Sequence, residues 1–429
     1  MTSTKDRKLK GYEFYNKTLG SPKNIVAPMV DHSEYAWRIL SRKYNSHLCY
    51  TPMFHARLFA ESQHYRDEQF TTGSNDRPLI VQFCANDPET LLKAAKVVEN
   101  DCDAVDINLG CPQGIAKRGR YGSFLMEEWD LVCSMVKILD ENLAIPVTCK
   151  IRIFPEVEKT IEYAKRLQAA GCQLLTVHGR TREMKGHKTG LADWEQIRRV
   201  KEALDIPVFA NGNICYYEDV ERCLQYTKCD GVMTAEGNLY NPALFSGELP
   251  PVWRIAEEYL EICKEYPKSA DIGMIRAHLF KIFAPCLNDY HDLRADLASK
   301  HTIDELTTTA QEFKRRILVD TNNATKYTAP EEYELDERGL RILPNWICQP
   351  HFRPELPHEV ANVNATATES EPKELDEVAA ERLKRKEAKR QAKINKLERE
   401  DFVANKKARK ASGKNPVCAA SKCLSLGST

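Results

Sequence analysis

The segment Asp106-Ile107-Asn108-Leu109-Gly110-Cys111-Pro112 has the pattern of a buried strand that ends in a tight turn carrying a thiol. In an α/β barrel, the groups that carry out chemistry lie just past the C-terminal ends of the strands. A free cysteine has a reference pKa of about 8.5, so at neutral pH it is mostly protonated. Such a thiol can give a proton to carbon or, when activated, attack as a nucleophile. The segment by itself leaves both roles open.

Eight short apolar runs, separated by longer amphipathic stretches, predict the fold. The runs are residues 24–30, 48–53, 79–83, 104–108, 147–151, 174–178, 207–211 and 231–235. Between them, residues 88–100 and 157–170 carry apolar side chains at helical spacing. Eight strands that alternate with helices are typical of a (β/α)8 TIM barrel, an α/β fold. We therefore expect a TIM barrel over residues 21–248, after a lead-in of residues 1–20.

Pro250-Pro251 marks the predicted end of the barrel. Residues 252–320 have apolar positions at helical spacing and predict a small all-α domain. Residues 321–360 are rich in proline and polar side chains, and we expect them to pack as an extended segment. Residues 361–429 are a low-complexity linker and a basic tail, whose composition favours either disorder or a solvated helix.

The formal net charge of zero conceals the basic character of this tail. Between residues 382 and 414, fourteen lysines and arginines outnumber four acidic residues. Tails of this kind bind a polyanion, a membrane surface or an import receptor. The clusters Lys384-Arg385-Lys386 and Lys406-Lys407-Ala408-Arg409-Lys410 fit nuclear import as well as they fit binding to a polyanion.

The chain has no run near the roughly 18 apolar residues of a membrane-spanning helix, and its first residues lack the apolar core of a secretion signal. We therefore expect a protein of the cytoplasm, the nucleus or both, without a membrane partner. The 15 cysteines lack the spacing of a disulfide framework, so most should be reduced core residues. Pairs such as Cys348 with His351 lack a full zinc ligand set, and we predict no metal.

Candidate site residues gather at the predicted C-terminal strand ends. They are Pro28, Met29, Val30, Gln82, Asn108, Cys111, Lys150, Arg152, His178, Arg180, Asn211, Gly212, Asn213, Ala235 and Glu236. A flavin suits this rim, because Lys150 would stabilise its reduced, negatively charged form and His178 would donate a hydrogen bond beside it. Gln82, with a donor and an acceptor, would pair with the pyrimidine edge of the flavin. The loops after the seventh and eighth strands occupy the usual phosphate position of a barrel.

Each of these residues has an ordinary alternative. Lys150 would serve equally as a strand-end cation or as the Schiff-base lysine of an aldolase. His178 alone is more often a hydrogen-bonded core residue, and Asn211-Gly212-Asn213 alone is a generic turn. Their common placement at one end of the predicted strands favours a site.

The combined motifs resemble the tRNA-dihydrouridine synthase family. They are Ala27-Pro28-Met29-Val30, Gln82-Phe83, the segment 106–112, Lys150-Ile151-Arg152, His178-Gly179-Arg180-Thr181 and Asn211-Gly212-Asn213-Ile214. They stand in the family's order over about residues 20 to 320. The stretch Ala235-Glu236-Gly237-Asn238-Leu239-Tyr240-Asn241-Pro242 and the long basic tail are most similar to the eukaryotic tRNA-dihydrouridine(16/17) synthase branch.

The resemblance implies an oxidoreductase that binds FMN, takes electrons from NADPH or NADH and reduces uridine in the D-loop of tRNA, at position 16 or 17. Hydride from the reduced flavin would reach C6, and Cys111 would protonate C5. C6 is the electrophilic end of an enone, and the developing enolate needs a neutral acid, which a protonated thiol supplies. The implied FMN contacts are Pro28, Met29, Val30, Gln82, Lys150, His178, Asn211, Gly212, Asn213, Ala235 and Glu236.

The resemblance also implies substrate contacts from Asn108, Arg152 and Arg180, with the helical domain as a second wall for tRNA. For Arg180, the flavin phosphate is the alternative partner. Many bacterial relatives carry Gly-Arg in the loop after strand 8, whereas this chain has Ala235-Glu236-Gly237. Backbone amides and another cation must then hold the phosphate, and Glu236 should point away. We expect the protein to act as a monomer.

Other functions fit parts of the same pattern. One is a flavin barrel that acts on a free pyrimidine, like the dihydroorotate dehydrogenases, although the helical domain and the basic tail have no purpose there. A second is a tRNA-binding protein without catalysis, and a third is a barrel that uses Lys150 as a Schiff base. Bound flavin would exclude the third.

Overall fold

Parallel strands close into a barrel in the computed structural model, which describes residues 7–336 and 339–351. The strands are β1 (Asn24–Val26), β2 (Leu48–Tyr50), β3 (Phe54–His55), β4 (Leu79–Cys84), β5 (Ala104–Leu109), β6 (Val147–Arg152), β7 (Leu175–His178), β8 (Val208–Asn211) and β9 (Gly231–Thr234). β2 and β3 share one position, because both pair with β4. Pro52 lies between them and offers no N–H to the ladder, so the strand is interrupted there. The closed barrel with eight strand positions confirms the predicted TIM fold.

Alternation along the strands places polar side chains inside the barrel. In β5, Asp106 and Asn108 point inward, while the apolar residues between them face the surrounding helices. Strand pairing sets Asp106 beside Gln82 of β4 and beside Thr148 of β6. The pairing of β5 with β6 also sets Asn108 beside Lys150. The upper part of the barrel interior is therefore lined by groups that form hydrogen bonds.

Helices cover the outside of the barrel and its loops. They are α1 (Gly11–Lys17), α2 (Tyr35–Lys43), α3 (Ala56–Glu61), α4 (Gln63–Gln69), α5 (Pro88–Val98), α6 (Gly114–Gly119), α7 (Trp129–Asn142), α8 (Val157–Ala169), α9 (Trp194–Glu202), α10 (Tyr217–Thr227) and α11 (Glu236–Tyr240). The helices predicted over residues 88–100 and 157–170 are α5 and α8. α5 begins where expected, because the Asp87 carboxylate accepts from the N–H of Thr90 at 2.8 Å and Pro88 suits the first turn.

A helical domain follows the barrel, as predicted. Its helices are α12 (Val252–Glu265), α13 (Ile272–Ile282), α14 (His291–Ser299) and α15 (Ile303–Asp320). The Asp271 carboxylate caps α13 by accepting from the N–H of Met274 at 2.8 Å, and Thr302 with Glu305 forms a capping box on α15. The rings of Phe283 and Phe313 stack with centroids 4.3 Å apart in the domain core.

A buried polar contact joins the helical domain to the barrel. Glu34, which precedes α2, accepts from the hydroxyl of Tyr259 on α12 at 2.7 Å. Its second carboxylate oxygen lies 3.0 Å from Nε2 of His278 on α13. The indole of Trp37 stacks on the His278 ring with centroids 3.9 Å apart. One acidic side chain of the barrel therefore holds two helices of the domain.

The chain returns from the helical domain to the barrel boundary. The N–H of Val252 donates to the carbonyl of Trp346, and the N–H of Cys348 donates to that of Pro250, each at 2.9 Å. Trp346 also stacks on Trp253. The predictions for the linker and basic tail, residues 361–429, fall outside the described part of the chain. Within that part, no helix is both long enough and apolar enough to cross a membrane.

Candidate active site

A chain of hydrogen bonds crosses the barrel interior beneath the loop of Cys111. The Asp106 carboxylate accepts from Oγ1 of Thr148 at 2.6 Å and from Nε2 of Gln82 at 2.7 Å. The other end of the Gln82 amide, Oε1, accepts from Nδ2 of Asn108 at 2.7 Å. Asp106 and Gln82 are fully buried, and burial raises the pKa of Asp106 to about 6.

The peptide groups of Cys111 are fixed from both sides. Oδ1 of Asn108 accepts from the N–H of Cys111 at 2.9 Å and from that of Gly110 at 3.2 Å. The carbonyl of Cys111 accepts from the N–H and the hydroxyl of Ser123 at 3.1 and 3.0 Å. Gly122 has a φ of +65°, and a Cβ there would lie 2.7 Å from the Cys111 carbonyl oxygen. The thiol, which is only half-buried, is thus carried on a rigid turn.

Arg152 ties the Cys111 turn to the loop after β7. Its Nε donates to the carbonyl of Gly110 at 3.0 Å, and one terminal nitrogen donates to the carbonyls of Thr181 at 2.7 Å and Met184 at 3.0 Å. Burial, together with the charge of Arg180, lowers the pKa of Arg152 to about 10. The residue therefore lies at the predicted rim, where it holds two loops together. Its predicted contact with substrate stays a prediction.

Lys150 and Asn211 meet across the barrel mouth. Nζ of Lys150 donates to Oδ1 of Asn211 at 2.9 Å, and Nδ2 of Asn211 donates to the carbonyl of Met233 at 2.9 Å. The amide of Asn211 is therefore oriented with its oxygen toward the ammonium group. Burial is the main cause that lowers the pKa of Lys150 to about 8, and the charge of Arg152 adds to it.

His178 lies beside Arg180 at the end of β7. A terminal nitrogen of Arg180 is 3.0 Å from Nε2 of His178, and its Nε donates to the carbonyl of Gly190 at 2.9 Å. Burial lowers the pKa of His178 well below its usual range, and the nearby charges of Lys150, Arg152 and Arg180 act in the same direction. The imidazole is neutral at physiological pH.

The guanidinium of Arg180 also reaches the loop after β8. It donates to Oδ1 of Asn213 at 3.1 Å, and the Asn213 amide exchanges two hydrogen bonds with the backbone of Ala192, each at 2.9 Å. Gly212 has a φ of +119°, and a Cβ there would lie 2.5 Å from Cβ of Ala192. Arg180 is therefore a cation beside the predicted phosphate loop. Its predicted contact, with the substrate or with the flavin phosphate, stays a prediction.

The loop after β9 packs tightly against the loop after β8. A Cβ on Gly237 would lie 2.3 Å from the carbonyl oxygen of Ile214, so only glycine permits this approach. Ala235 is half-buried at the start of α11, and Glu236 is exposed to solvent. That its carboxylate points away from a phosphate stays a prediction.

The loop after β1 contains Pro28, Met29 and Val30. Met29 is buried, whereas its two neighbours are half-exposed. The Ser33 hydroxyl accepts from the N–H of Met29 at 2.9 Å and donates to its carbonyl oxygen at 3.2 Å, so it holds the peptide groups on both sides of this residue. The carbonyl of Ser33 in turn accepts from the buried guanidinium of Arg38 at 2.7 Å.

Comparison with known proteins identifies the chain. Residues 25 to 326 match the family model described as dihydrouridine synthase (Dus). The chain belongs to the dihydrouridine synthase family. This match confirms the family and the enzyme class that the sequence motifs predicted.

Curated relatives of this dihydrouridine synthase support the predicted branch. The tRNA-dihydrouridine(16/17) synthase-like protein of Mus musculus is 48% identical over 391 residues, which cover 90% of this chain and 79% of the relative. The tRNA-dihydrouridine(16/17) synthase of Saccharomyces cerevisiae is 49% identical over 370 residues, which cover 81% and 87%. The tRNA-dihydrouridine(20a/20b) synthase-like protein of Homo sapiens is 39% identical over 272 residues, which cover 62% and 84%. All three names carry NAD(P)+.

Three supporting residues of this dihydrouridine synthase were missed by the sequence reasoning. Ser123 holds the carbonyl of Cys111, Ser33 holds Met29, and Arg38 holds Ser33 while it pairs with the buried carboxylate of Asp76 at 2.6 Å. For Arg38, the available signal was a charged residue among the apolar residues of α2, which indicates a buried cation with a partner. The serines gave no comparable signal, because serine is common in loops.

Proposed function

We propose that the protein reduces uridine to 5,6-dihydrouridine in tRNA, with FMN as bound cofactor and NADPH or NADH as reductant. One observation carries the proposal. The half-exposed thiol of Cys111 stands on a rigid turn at the barrel mouth that also holds the Lys150–Asn211 and His178–Arg180 pairs. Family membership and the names of the relatives support the same reaction.

The residues at the mouth fit FMN. Lys150 supplies a positive charge for the pyrimidine edge of a flavin, and the neutral imidazole of His178 adds a hydrogen-bonding group beside it. Arg180 supplies the cation that the loop after β9 lacks, and Gly212 lets the backbone approach a phosphate closely. Pro28, Met29 and Val30 supply an apolar bed, and Asn213 with Ala235 completes the proposed contacts. Gln82 accepts from Asn108 and donates to Asp106, so only its second amide hydrogen is left for the pyrimidine edge. The side chain of Glu236 takes no part.

Cys111 acts as the general acid in this proposal. FMN, when reduced, supplies the hydride that C6 of the uracil ring receives. Negative charge then develops on C5 and O4, and the Cys111 thiol gives its proton to C5. Asn108 accepts from the N–H of Cys111 and Ser123 donates to its carbonyl, and these two hydrogen bonds hold the thiol in place for that transfer. The second hydrogen of the Asn108 amide is available to the uracil.

We propose position 16 or 17 of the D-loop as the target, because the relatives above 45% identity carry these positions in their names. The uridine must leave the tRNA fold to enter the mouth, at a cost of a few kcal/mol, which is least in an irregular loop. We propose that the protein acts on tRNA as a monomer. A tRNA substrate is consistent with the cytoplasm, the nucleus or both.

Cations on the barrel rim suit the phosphates of such a substrate. Lys117 and Arg120 follow Cys111 on and after α6, and Lys188 lies on the loop after β7; all three are exposed. Among the described residues, none of the three has an acidic partner at ion-pair distance, whereas most other surface cations do. We propose that this rim and the helical domain, residues 252–320, grip the tRNA from two sides.

The decisive experiment replaces Cys111 by alanine in the full-length protein. We expect the Cys111→Ala variant to keep its flavin absorbance and its tRNA affinity, and to form dihydrouridine about 10²- to 10⁴-fold more slowly, the usual contribution of a general acid. The matched control is Cys133→Ala, since Cys133 is half-buried on α7, away from the mouth.

Unchanged dihydrouridine formation by Cys111→Ala would overturn the assigned role. Purified protein without flavin would overturn the proposed cofactor. Reduction of free uridine or orotate as fast as of tRNA would favour the free-pyrimidine alternative.

A further inference from the structure

A chain of hydrogen bonds links Cys111 to Asp106 through the amides of Asn108 and Gln82. In every bond of this chain, the donor lies on the Cys111 side and the acceptor on the Asp106 side. At the lower end, a carboxylate can only accept, so Nε2 of Gln82 must face Asp106. At the upper end, the N–H groups of Gly110 and Cys111 can only donate, so Oδ1 of Asn108 must face them. The remaining bond, from Nδ2 of Asn108 to Oε1 of Gln82, satisfies both constraints.

We propose that Asp106 is a positioning residue of the reaction, whose carboxylate fixes the orientation of the Gln82 and Asn108 amides and thereby the hydrogen bond that holds the peptide nitrogen of Cys111. The catalytic meaning of this role rests on the proposed function. The structural claim does not, because it concerns the orientation of two amides in the chain itself.

An amide has a donor on one side and an acceptor of nearly the same shape on the other, so its orientation must be fixed by its neighbours. Gln82 is fully buried and Asn108 nearly so, and each could be turned by 180° without a change of shape. If Gln82 turned, its Nε2 would face Nδ2 of Asn108, and Asn108 would have to turn as well. Nδ2 of Asn108 would then face the N–H of Cys111, and two donors would meet. The N–H groups at the upper end already disfavour this arrangement, and a group at position 106 that only accepts makes the lower end oppose it as well.

Thr148 holds the other oxygen of the Asp106 carboxylate. Its hydroxyl donates to the carboxylate oxygen that Gln82 does not use, so both oxygens of Asp106 have a fixed donor. An asparagine at position 106 could instead present its amide nitrogen to either Gln82 or Thr148. Asparagine has nearly the shape of aspartate, so the substitution removes the negative charge and a group that must accept without a change of volume.

The test compares two variants of the full-length, FMN-loaded protein. In Asp106→Asn, position 106 no longer has a group that must accept, so only the N–H groups of Gly110 and Cys111 still favour the wild-type direction. We expect Cys111 to react with iodoacetamide several-fold faster, because its turn is held less firmly. In Asp106→Asn/Asn108→Asp, the chain runs in the reverse direction: position 106 donates to Gln82, Gln82 donates to position 108, and a carboxylate again accepts from Cys111. We expect the double variant to react within about twofold of the wild-type rate.

Alkylation is read by mass spectrometry at Cys111, with Cys133 as the internal reference for general unfolding. The control Asp230→Asn removes a carboxylate that accepts from the N–H of Val208 at the opposite end of the barrel, and it should leave the rate at Cys111 unchanged. Dihydrouridine formation should fall in Asp106→Asn. It is not used for the double variant, because Asn108 is also proposed to contact the uracil.

An unchanged rate in Asp106→Asn, or a double variant that reacts faster than the single one, would overturn the proposal. If Asp106→Asn fails to fold, neutron diffraction from wild-type crystals decides, since deuterium must lie on the Gln82 atom that faces Asp106. An oxygen at that place would overturn the proposal. These readouts are independent of tRNA, so they separate the failure of this inference from that of the proposed reaction.

Discussion

Arg180 donates from its guanidinium to Nε2 of His178 across 3.0 Å. An arginine has no acceptor, so Nε2 of the imidazole accepts and the ring proton lies on Nδ1. His178 is therefore a neutral donor at Nδ1, and the protonated form would place a second positive charge against the guanidinium. This pair sets the protonation state of the group that we propose to lie beside the flavin.

Replacement of Arg180 by methionine should raise the pKa of His178 and weaken FMN binding at least tenfold. The variant removes a positive neighbour from the imidazole and the proposed cation from the phosphate loop. The first effect is measured by ¹⁵N NMR titration of His178, and the second by fluorescence titration of the apoprotein with FMN. Arg198→Met, which loses only surface ion pairs on α9, is the control. FMN affinity equal to wild type would remove Arg180 from the site.

FMN affinity should fall as the pH rises through about 8. The folded pKa of Lys150 is about 8, below the usual value near 10.4, so free protein loses the ammonium charge above pH 8. His178 does not titrate in this range, because its pKa lies well below 6.5. Titrations with FMN between pH 7 and 9.5 measure the effect. In Lys150→Gln, affinity should be weaker and independent of pH; a slope as steep as that of the wild type would assign the titration to another group.

The lowered pKa of Lys150 also affects the free energy of unfolding, which rises with pH where FMN affinity falls. Between pH 8 and about 10.4, the unfolded chain binds a proton at Lys150 that the folded apoprotein does not, so this residue makes stability rise with pH in that window. Below pH 8 its contribution is constant.

A methyl group at Gly122 should disable the Cys111 turn. In Gly122→Ala the new Cβ would lie 2.7 Å from the Cys111 carbonyl oxygen, so the turn must shift. We expect the rate of dihydrouridine formation to fall at least tenfold, with FMN retained. Gly20→Ala is the matched control, because Gly20 has a similar φ of +73° but open space around it. Equal activities of the two variants would show that the turn tolerates the displacement.

Charge removal from the rim should weaken tRNA binding in a salt-dependent way. In the triple variant Lys117→Gln/Arg120→Gln/Lys188→Gln, KM for tRNA should rise, and the slope of log affinity against log salt should become shallower by about one for each phosphate that is no longer neutralised. The reaction rate at saturation should change little. Lys137→Gln, which removes an exposed cation paired with Glu141 on α7, should leave both quantities unchanged. A salt slope like that of wild type would place the tRNA elsewhere.

Removal of the Glu34 carboxylate should destabilise the fold. Glu34→Ala leaves the hydroxyl of Tyr259 and the buried ring of His278 without their acceptor, a loss of about 1.5–3 kcal/mol for each hydrogen bond to a charged group. The control Glu257→Ala breaks a partly exposed ion pair with Lys314 and should cost at most about 1 kcal/mol. Urea denaturation of the two variants compares these losses. Similar midpoints would mean that the Glu34 contact is not needed to hold the helices.

The strand ends could be predicted because two simple patterns fix them. Apolar runs of strand length indicate the barrel positions, and the period of two along a strand puts Asp106 and Asn108 on the same face. Asp106 was therefore within reach of sequence reasoning, which treated it only as part of the strand. A third pattern, the pair Pro250-Pro251, gave the predicted start of the helical domain at residue 252.

The supporting contacts could not be predicted in the same way. Arg152 reaches the carbonyls of Gly110, Thr181 and Met184, and those positions depend on the path of two loops. Ser123 meets Cys111 because Gly122 adopts a left-handed conformation. Long flexible side chains and loop backbones find their partners only once the fold has brought them together.

The contacts of residues 346–348 with Pro250 and Val252 bring the segment that follows the helical domain back to the point where that domain begins. The nine strands described above all precede Pro250, so a replacement of the helices leaves the path of the barrel strands unchanged as long as residues 346–348 keep these contacts. The helices could thus diverge, or be grafted from a relative with another target position, while the barrel and its chemistry stay as they are.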